Sequence, residues 1–584
     1  MVNRRQKDKP LLSFEFATST GEIIPQSFQN PLRMIVANTL EEVIPCLYQV
    51  QEEVENGYYA AGFLTYESAP AFEPSYKVIG GQKMPLLWFG IFLKPEEESI
   101  RSNDSFHHTS WTPNVEVDEY EKAIMKIKNG IEDGVTYQTN YTVRLTSQFQ
   151  GDDSAYFDKL KRAQSSNYCA YINTGEHSIL SASPELFFHL KEASITTRPM
   201  KGTIKRGKSY LEDMANAEWL LQSDKNRAEN VMIVDLLRND LGMIAKAGTV
   251  KVPYLFSIEQ YPTVHQMTST VTAEIAEETT LVDVFKALFP CGSITGAPKI
   301  STMEMISKIE KSPREVYCGA IGYITPQKEA IFNVPIRTVV IDHESGMATY
   351  GVGGGVTWDS TSKGEYDEIL AKASLLSVER PEFQLLESLL LEEGQYFLLE
   401  EHLTRLQNSA RYFSFPHHYE AIKKNLLDLA NRRKGEKLKV RLLLSKKGEW
   451  TIEAQSIAQS SITNKVMLAD EPIDRENPFL YHKTTNRVIY SHFQEKFPHV
   501  FDVLLWNKAG ELTEFTNGNV VLEMDDGWWT PSVKSGLLAG TFRDRLLERG
   551  KIREKKLMVK DLEKASKIWF INSVRKWIEV ELID

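Results

Sequence analysis

At 584 residues the chain is too long for a single hydrophobic core and has room for roughly three to four domain-sized units. Its 42% hydrophobic and 25% charged residues are those of a folded globular protein, and a net charge of -11 leaves no basic surplus for a nucleic-acid backbone. A basic, polar N-terminus without an apolar core, the absence of any bilayer-length apolar stretch, and four scattered cysteines (Cys46, Cys169, Cys291, Cys318) predict a cytoplasmic protein with reduced, mostly buried thiols.

Along the chain, apolar and alternating runs predict strands over Tyr58 to Tyr66, Tyr168 to Ile172, Ser178 to Leu180, Ile321 to Ile324 and Ala330 to Ile341. Helical spacing predicts helices over Asp118 to Glu132, Lys225 to Leu241 and Leu281 to Leu288. Strands outnumber the helices that regular βαβ alternation needs, so an α+β fold with large, mostly antiparallel sheets is expected. A further helical pattern, from Tyr366 to Leu376, stops at Arg380-Pro381, and a strand-like run from Phe383 to Leu391 follows. This break predicts one domain over residues 1–378, with 1–100 as its N-terminal subdomain, and a second over 379–584. In the second, helices Glu400 to Phe413 and Tyr419 to Asn431 precede strands Lys439 to Leu444, Val500 to Trp506, Val520 to Met524 and Ile568 to Asn572, an α/β composition.

The acidic residues of the first domain carry its first chemical signal. Glu229 sits in the helical run AENVMIVDLLRNDLG, and Glu365 and Glu368 of GEYDEILAKA fall on one helix face. Magnesium is typically held by one or two protein carboxylates plus substrate and water oxygens, although an isolated glutamate pair is more often a solvated helix surface. Two glycine-rich segments lie nearby. FPCGSITGAPK (Phe289 to Lys299) can open a helix near Pro298, and YGVGGGVTWDS (Tyr350 to Ser360) allows close backbone approach to a ligand. Either alone is ordinarily a turn or bulge.

In order, SPELFF, RPMKGT, ENVMIVDLLRND, GSITGAPK, IRT and GGG…DS…EYDE…KA resemble the chorismate-utilising family: anthranilate synthase, aminodeoxychorismate synthase component I, and the isochorismate and salicylate synthases. The resemblance spans roughly residues 10 to 376 and is strongest from Tyr120 onward. It implies an α+β chorismate-binding fold, with Glu229 and Glu368 as Mg²⁺ ligands and Glu365 acting through water. It also implies that Tyr317, Arg337 and the Gly353-Gly354-Gly355 backbone hold the carboxylate and enolpyruvyl arm, a role that suits the bidentate arginine fork. Gly202, Thr203, Thr295 and Lys372 are implied to line the same pocket, His265 to be a pocket histidine, and Glu185 to be the general acid for the departing C4 hydroxyl.

Lys201 of RPMKGT selects the branch. Anthranilate synthases carry alanine there, whereas aminodeoxychorismate synthases carry lysine. A desolvated lysine can be a neutral amine that attacks C2 as the C4 hydroxyl leaves, after which ammonia adds at C4 and expels it. An arbitrary lysine beside Lys205, Arg206 and Lys208 would be a solvated loop charge; within this motif the nucleophile is favoured. The isochorismate and salicylate synthases use a water-activating lysine where this chain has Gln138. Without a G-x-C-x-G elbow in the chain, ammonia is expected from a separate glutamine amidotransferase subunit. The YESAP region (Tyr66 to Pro70) resembles a subdomain that holds tryptophan in some relatives.

In the second domain, HLTRLQNSARYF, HKTTNRVIY, ELTEFTNGNVV and SGLLAGTFRDRLL, each unremarkable alone, resemble in order the fold-type IV pyridoxal-phosphate enzymes: aminodeoxychorismate lyase and the D-amino-acid and branched-chain aminotransferases. The match implies that Lys483 binds the cofactor and moves the Cα proton, and that Glu514 pairs with the pyridine nitrogen. It further implies that Arg405 and the Thr541-Phe542 backbone hold the phosphate, with Asn519 and Asn572-Ser573 in the same motifs. The family's usual opening strands before Phe383 are missing or supplied by the junction, a departure that bears on the dimer contacts; a homodimer through this domain is an open expectation. HKTTNR and NSVR are closest to the lyase branch. A fusion of the two activities would make 4-aminobenzoate, a folate precursor, from chorismate. The competing expectations are an anthranilate-type synthase fused to an aminotransferase, which Lys201 opposes, and a decayed scaffold, which the joint presence of Glu185, Lys201, Glu229, Glu368 and Lys483 opposes.

Overall fold

The computed structural model describes residues 11–18, 21–96, 104–377, 381–457 and 464–583. Two compact units emerge: Met1–Lys205 with Ala217–Arg380, and Arg206–Asn216 with Pro381–Asp584. The return of residues 206–216 to the second unit has no announcement in the sequence. Among the described residues no helix is long and apolar enough to cross a membrane, and all four cysteines are buried and unbridged.

The first unit is built on two ten-stranded sheets whose named strands pair antiparallel throughout. The long strands Gln138–Gly151 and Met347–Val356 pair over ten residues in one sheet, from Gln148 opposite Met347 to Thr139 opposite Val356. Apolar side chains from the helices Leu40–Glu55 and Leu281–Leu288 fill one core with Phe89, Phe188 and Phe332. The α+β expectation of large antiparallel sheets with helices therefore holds.

One predicted strand divides. The run Ala330 to Ile341 forms two strands, Ala330–Asn333 and Thr338–Asp342, which belong to different sheets. Pro335 supplies no N–H for a ladder, and Arg337 takes a left-handed backbone at φ 55°, so the strand cannot run through. Its partner does the same. His177–Ser183 pairs with Thr338–Asp342 in one sheet, and Leu186–Lys191 pairs with Ala330–Asn333 in the other. A two-stranded ribbon thus leaves one sheet and enters the other, with Glu185 and Arg337 at the crossing. Backbone hydrogen bonds from Val334 N to Glu185 O (3.1 Å) and from Ala182 N to Arg337 O (3.1 Å) stitch the crossing together.

Two helices bring acidic residues to this crossing. Asp224–Gly242 is capped by Ser223, whose hydroxyl accepts from Asn226 N, and Ser362–Ala373 is capped by Thr361, which accepts from Gly364 N.

The second unit holds a four-stranded antiparallel sheet, in the order Gln395–Phe397, Leu385–Glu392, Leu438–Leu444, Trp450–Ser456. The helices Leu399–Phe413 and Tyr419–Arg432 cover one face of it through Leu403, Leu406, Ile422 and Leu426. An eight-stranded sheet mixes parallel pairs, such as Lys465–Leu468 with Asp502–Trp506, with antiparallel ones.

Candidate active sites

A cavity of about 360 Å³ opens at the ribbon crossing of the first unit. Most of the sequence-predicted residues meet there: Glu185, Lys201, Gly202, Thr203, Glu229, Tyr317, Arg337, Gly353, Gly354, Gly355, Glu365, Glu368 and Lys372 all line it. The glycine run has a steric reason. A Cβ on Gly355 would lie 2.1 Å from Gln138 Nε2 and 2.8 Å from Lys201 Nζ, while one on Gly354 would lie 3.0 Å from Glu365 Oε2. The strand therefore lets charged groups crowd its backbone from both faces.

Lys201 lies on the strand Met200–Lys205, where its carbonyl accepts from Asn230 Nδ2 of the Glu229 helix at 3.2 Å. Burial pushes its ammonium below the ordinary lysine value, and this outweighs the attraction of Glu229, Glu185 and Glu368 for its proton. Burial pushes Glu185 up to about 7, against the opposing hydrogen bond from Ser293 and the charge of Lys201. Such a pair, an amine that sheds its proton and a carboxyl group that keeps its own, suits a nucleophile beside an acid.

Glu229 and Glu365 are raised by burial, whereas Glu368 is lowered by Lys372, whose Nζ lies 2.6 Å from its Oε1. Ser360 Oγ donates to Glu365 Oε1 at 2.7 Å. Among the described residues, no three acidic, histidine or cysteine side chains converge into a ready cation cage. The donor set instead fits an ion that takes one or two protein carboxylates and completes its shell with substrate and water, as magnesium does. Arg337 Nη1 donates to the Lys372 carbonyl at 3.1 Å, and Lys372 Nζ donates to the Gly353 carbonyl at 2.7 Å. Cation and backbone are thereby ordered together.

Two expected residues lie outside the lining. His265 is buried on the strand Val264–Glu274, but its neighbour Gln266 faces the cavity, because successive strand residues point to opposite sides. Gln266 Nε2 donates to the Gly202 carbonyl at 3.0 Å, and Thr203 Oγ1 donates to Gln266 Oε1 at 2.9 Å. Thr295 is also buried away from the cavity, its hydroxyl bonded to the carbonyls of Cys291 and Gly292 at 3.2 Å each, so it closes a turn. The turn presents Ser293 instead. Asn140 and Trp219 are among the further lining residues; nothing in their local sequence sets them apart.

In the second unit Arg405 and Glu514 lie within electrostatic reach of Lys483. Burial, reinforced by Arg405 and Arg487, pushes its ammonium down to about 8, and its carbonyl accepts from Leu386 N at 2.9 Å. Glu514, on the strand Leu512–Phe515, is pushed up to about 7 by burial. Its Oε1 accepts from Tyr490 Oη (2.8 Å) and Leu538 N (3.2 Å), and Asn519 Nδ2 lies 3.5 Å from Oε2. A Cβ on Gly540 would strike Asn519 Oδ1 at 2.0 Å, so a larger residue where the loop enters the helix Thr541–Glu548 must displace that amide.

Arg405 reaches that loop through Nη1, which donates to the Ala539 carbonyl at 3.1 Å. Its Nε and Nη2 are taken by Glu387, at 2.8 and 2.7 Å, a partner absent from the sequence expectation. Burial alone would raise Glu387, but Arg405 and then His402 hold it down to about 2. Thr541 Oγ1 lies 3.2 Å from His402 Nε2. The Phe542 ring packs on Phe397 and Trp577, which leaves its backbone as the part able to face a ligand.

Comparison with known proteins gives a match of residues 93–377 to the chorismate binding enzyme family and of residues 384–583 to the amino-transferase class IV family. The chain is 38% identical over 266 residues to aminodeoxychorismate synthase component 1 of Salmonella typhimurium, which covers 46% of this chain and 58% of that protein. It is 35% identical over 267 residues to anthranilate synthase component 1 of Aquifex aeolicus, which covers 46% of this chain and 54% of that protein. The chain thus spans between half and two thirds of the length of these relatives. Anthranilate synthase component I from Streptococcus pneumoniae shares its fold, with a TM-score of 0.50 at 24% identity over 63% of this chain and 90% of that one.

Proposed function

We propose that this chain, a chorismate binding domain joined to a class IV amino-transferase domain, makes 4-aminobenzoate from chorismate and ammonia in two steps. The observation that carries the reading is Lys201: a buried lysine whose ammonium is destabilised, placed in one cavity with Glu185 and three further glutamates. In the first step the neutral Lys201 Nζ bonds to ring carbon C2, both ring double bonds shift, and the C4–O bond breaks. Glu185 gives its proton to the departing oxygen, which leaves as water. Ammonia then bonds to C4 as the C2–N bond to Lys201 breaks. The balance is chorismate and ammonia in, 4-amino-4-deoxychorismate and water out.

Glu229 and Glu368 would hold Mg²⁺, with Glu365 acting through water, and the ion would supply Lewis-acid neutralisation of a substrate carboxylate. Arg337, Tyr317 and the Gly353–Gly355 backbone would hold the other carboxylate and the enolpyruvyl arm.

The second unit would convert the aminodeoxychorismate by loss of pyruvate. Pyridoxal phosphate, when bound, supplies an electron sink for that elimination. Lys483 would carry the cofactor and move the proton whose loss aromatises the ring, its pKa of about 8 suiting both tasks. Glu514 would pair with the ring nitrogen, and Arg405, Asn519 and the backbone of Thr541 and Phe542 would frame the phosphate. A separate glutaminase subunit would deliver ammonia, and the second unit would form a homodimer. Buried, unbridged cysteines support a reducing, cytoplasmic setting.

The test is to incubate the purified chain with chorismate, Mg²⁺, an ammonium salt and pyridoxal phosphate. The expected product is 4-aminobenzoate; anthranilate in its place would overturn the reading.

A further inference from the structure

Ser293 lies in the short turn Gly292–Ile294, its hydroxyl 2.5 Å from Glu185 Oε1. Both residues are at least 96% buried, at 4% and 3% exposure. Behind the serine, Cys291 Sγ lies 3.2 Å from Ser293 Oγ, and either atom can be the donor. The turn is clamped. Gly292 has no room for a Cβ, which would meet Leu236 Cδ2 of the Glu229 helix at 2.3 Å. Arg314 Nη1 donates to the Ile294 carbonyl at 2.8 Å, and Asn140 N to the Thr295 carbonyl at 2.8 Å.

A hydroxyl has one proton and two lone pairs. With Glu185 ionised, Ser293 donates to Oε1 and accepts the Cys291 S–H. With Glu185 protonated at Oε2, the oxygen that delivers the proton, Oε1 still accepts from the hydroxyl and the hydroxyl still accepts from Cys291. The chain of hydrogen bonds from Cys291 through Ser293 to Glu185 Oε1 therefore persists in both states, as a buried carboxyl group that must give up a proton requires. Burial holds the Cys291 thiol up at about 12, so it stays neutral and does not compete for that proton. Lys201 is the other charged group that acts on Glu185, from the strand Met200–Lys205.

We propose that Ser293, backed by Cys291, is a positioning residue that turns Glu185 Oε2 towards the substrate and sustains the hydrogen-bond network in both protonation states of the acid. This rests on the assignment of Glu185 as the acid. The experiment measures chorismate consumption against pH at fixed free ammonia and saturating Mg²⁺ for the full chain and for Ser293→Ala, Ser293→Thr and Glu185→Gln. Loss of the donor to the ionised carboxylate should move the limb of the kcat profile near pH 7 that Glu185 sets to higher pH by about one unit in Ser293→Ala, the worth of a hydrogen bond to a charged group. Turnover should fall about tenfold, with KM for chorismate within about twofold of wild type. Ser293→Thr, which keeps the hydroxyl, should restore the wild-type limb; if Ser293→Ala does not fold, Ser293→Cys, a weaker donor, should give a smaller shift in the same direction.

A wild-type limb in Ser293→Ala, or a change confined to KM, overturns the role of Ser293 provided that Glu185→Gln is inactive. If Glu185→Gln itself turns over chorismate at the wild-type rate, the acid assignment falls, and the role of Ser293 falls with it.

Discussion

Gly355→Ala is a sharp probe of the nucleophile assignment. The added methyl carbon would sit 2.8 Å from Lys201 Nζ and 2.1 Å from Gln138 Nε2. Ordinary contact needs about 3.5 Å, so the amine must retreat by about 0.7 Å and the amide by about 1.4 Å. Both are ends of flexible side chains, so the backbone need not move. A misplacement of about 1 Å at a reacting atom costs on the order of a hundredfold, so kcat/KM for chorismate should drop between about tenfold and a hundredfold, or about 1.4–2.7 kcal/mol of transition-state stabilisation. The assay is chorismate consumption at saturating ammonium and Mg²⁺, paired with a thermal melt. The melting temperature should hold, in contrast to Gly353→Ala, whose Cβ would meet the Tyr141 carbonyl oxygen at 2.1 Å and which should lower it. A Gly355→Ala enzyme with unchanged kcat/KM would refute the placement of Lys201 Nζ at the point of attack.

Lys483→Ala should leave chorismate consumption intact and stop at aminodeoxychorismate, a product that chromatography separates from 4-aminobenzoate. Turnover in the first step needs a neutral Lys201 and a protonated Glu185, so it should be bell-shaped in pH, with both limbs below the ordinary lysine value. Glu368→Gln should raise the Mg²⁺ concentration needed for half-maximal rate by at least about tenfold in a metal titration, since it removes a charged ligand. Glu387→Ala strips the buried Arg405 and His402 of their shared carboxylate and should cost the second unit about 3 kcal/mol in denaturant melts. Because the folded Glu387 value lies near 2, below the ordinary 4.5, its stabilisation is present above the ordinary value and is lost as pH falls towards 2.

The site was more legible in the sequence than the fold around it. Motifs such as RPMKGT and GEYDEILAKA pointed to Lys201, Glu365 and Glu368, and the structure brings all three to one cavity. His265 and Thr295 lie outside the cavity lining, because a motif says which residues occur together but not which face they turn to the cavity. Strand alternation gave the place to Gln266, and a turn gave it to Ser293. Glu387 escaped notice because it lies in the apolar run LLESLLL, where its partners His402 and Arg405 come from the following helix. The run Ala330 to Ile341 read as one strand because Pro335 alone does not reveal that the two halves join different sheets.

That division has a consequence for how the first unit loses activity. Glu185 and Arg337 are set by the peptide links where a ribbon passes from one sheet to the other, so neither sheet can open alone without separating them. Amide protons flanking both residues should then exchange only through global opening rather than local fraying. Heat inactivation of this site should accordingly coincide with cooperative unfolding of the whole unit, with no folded but inactive stage between.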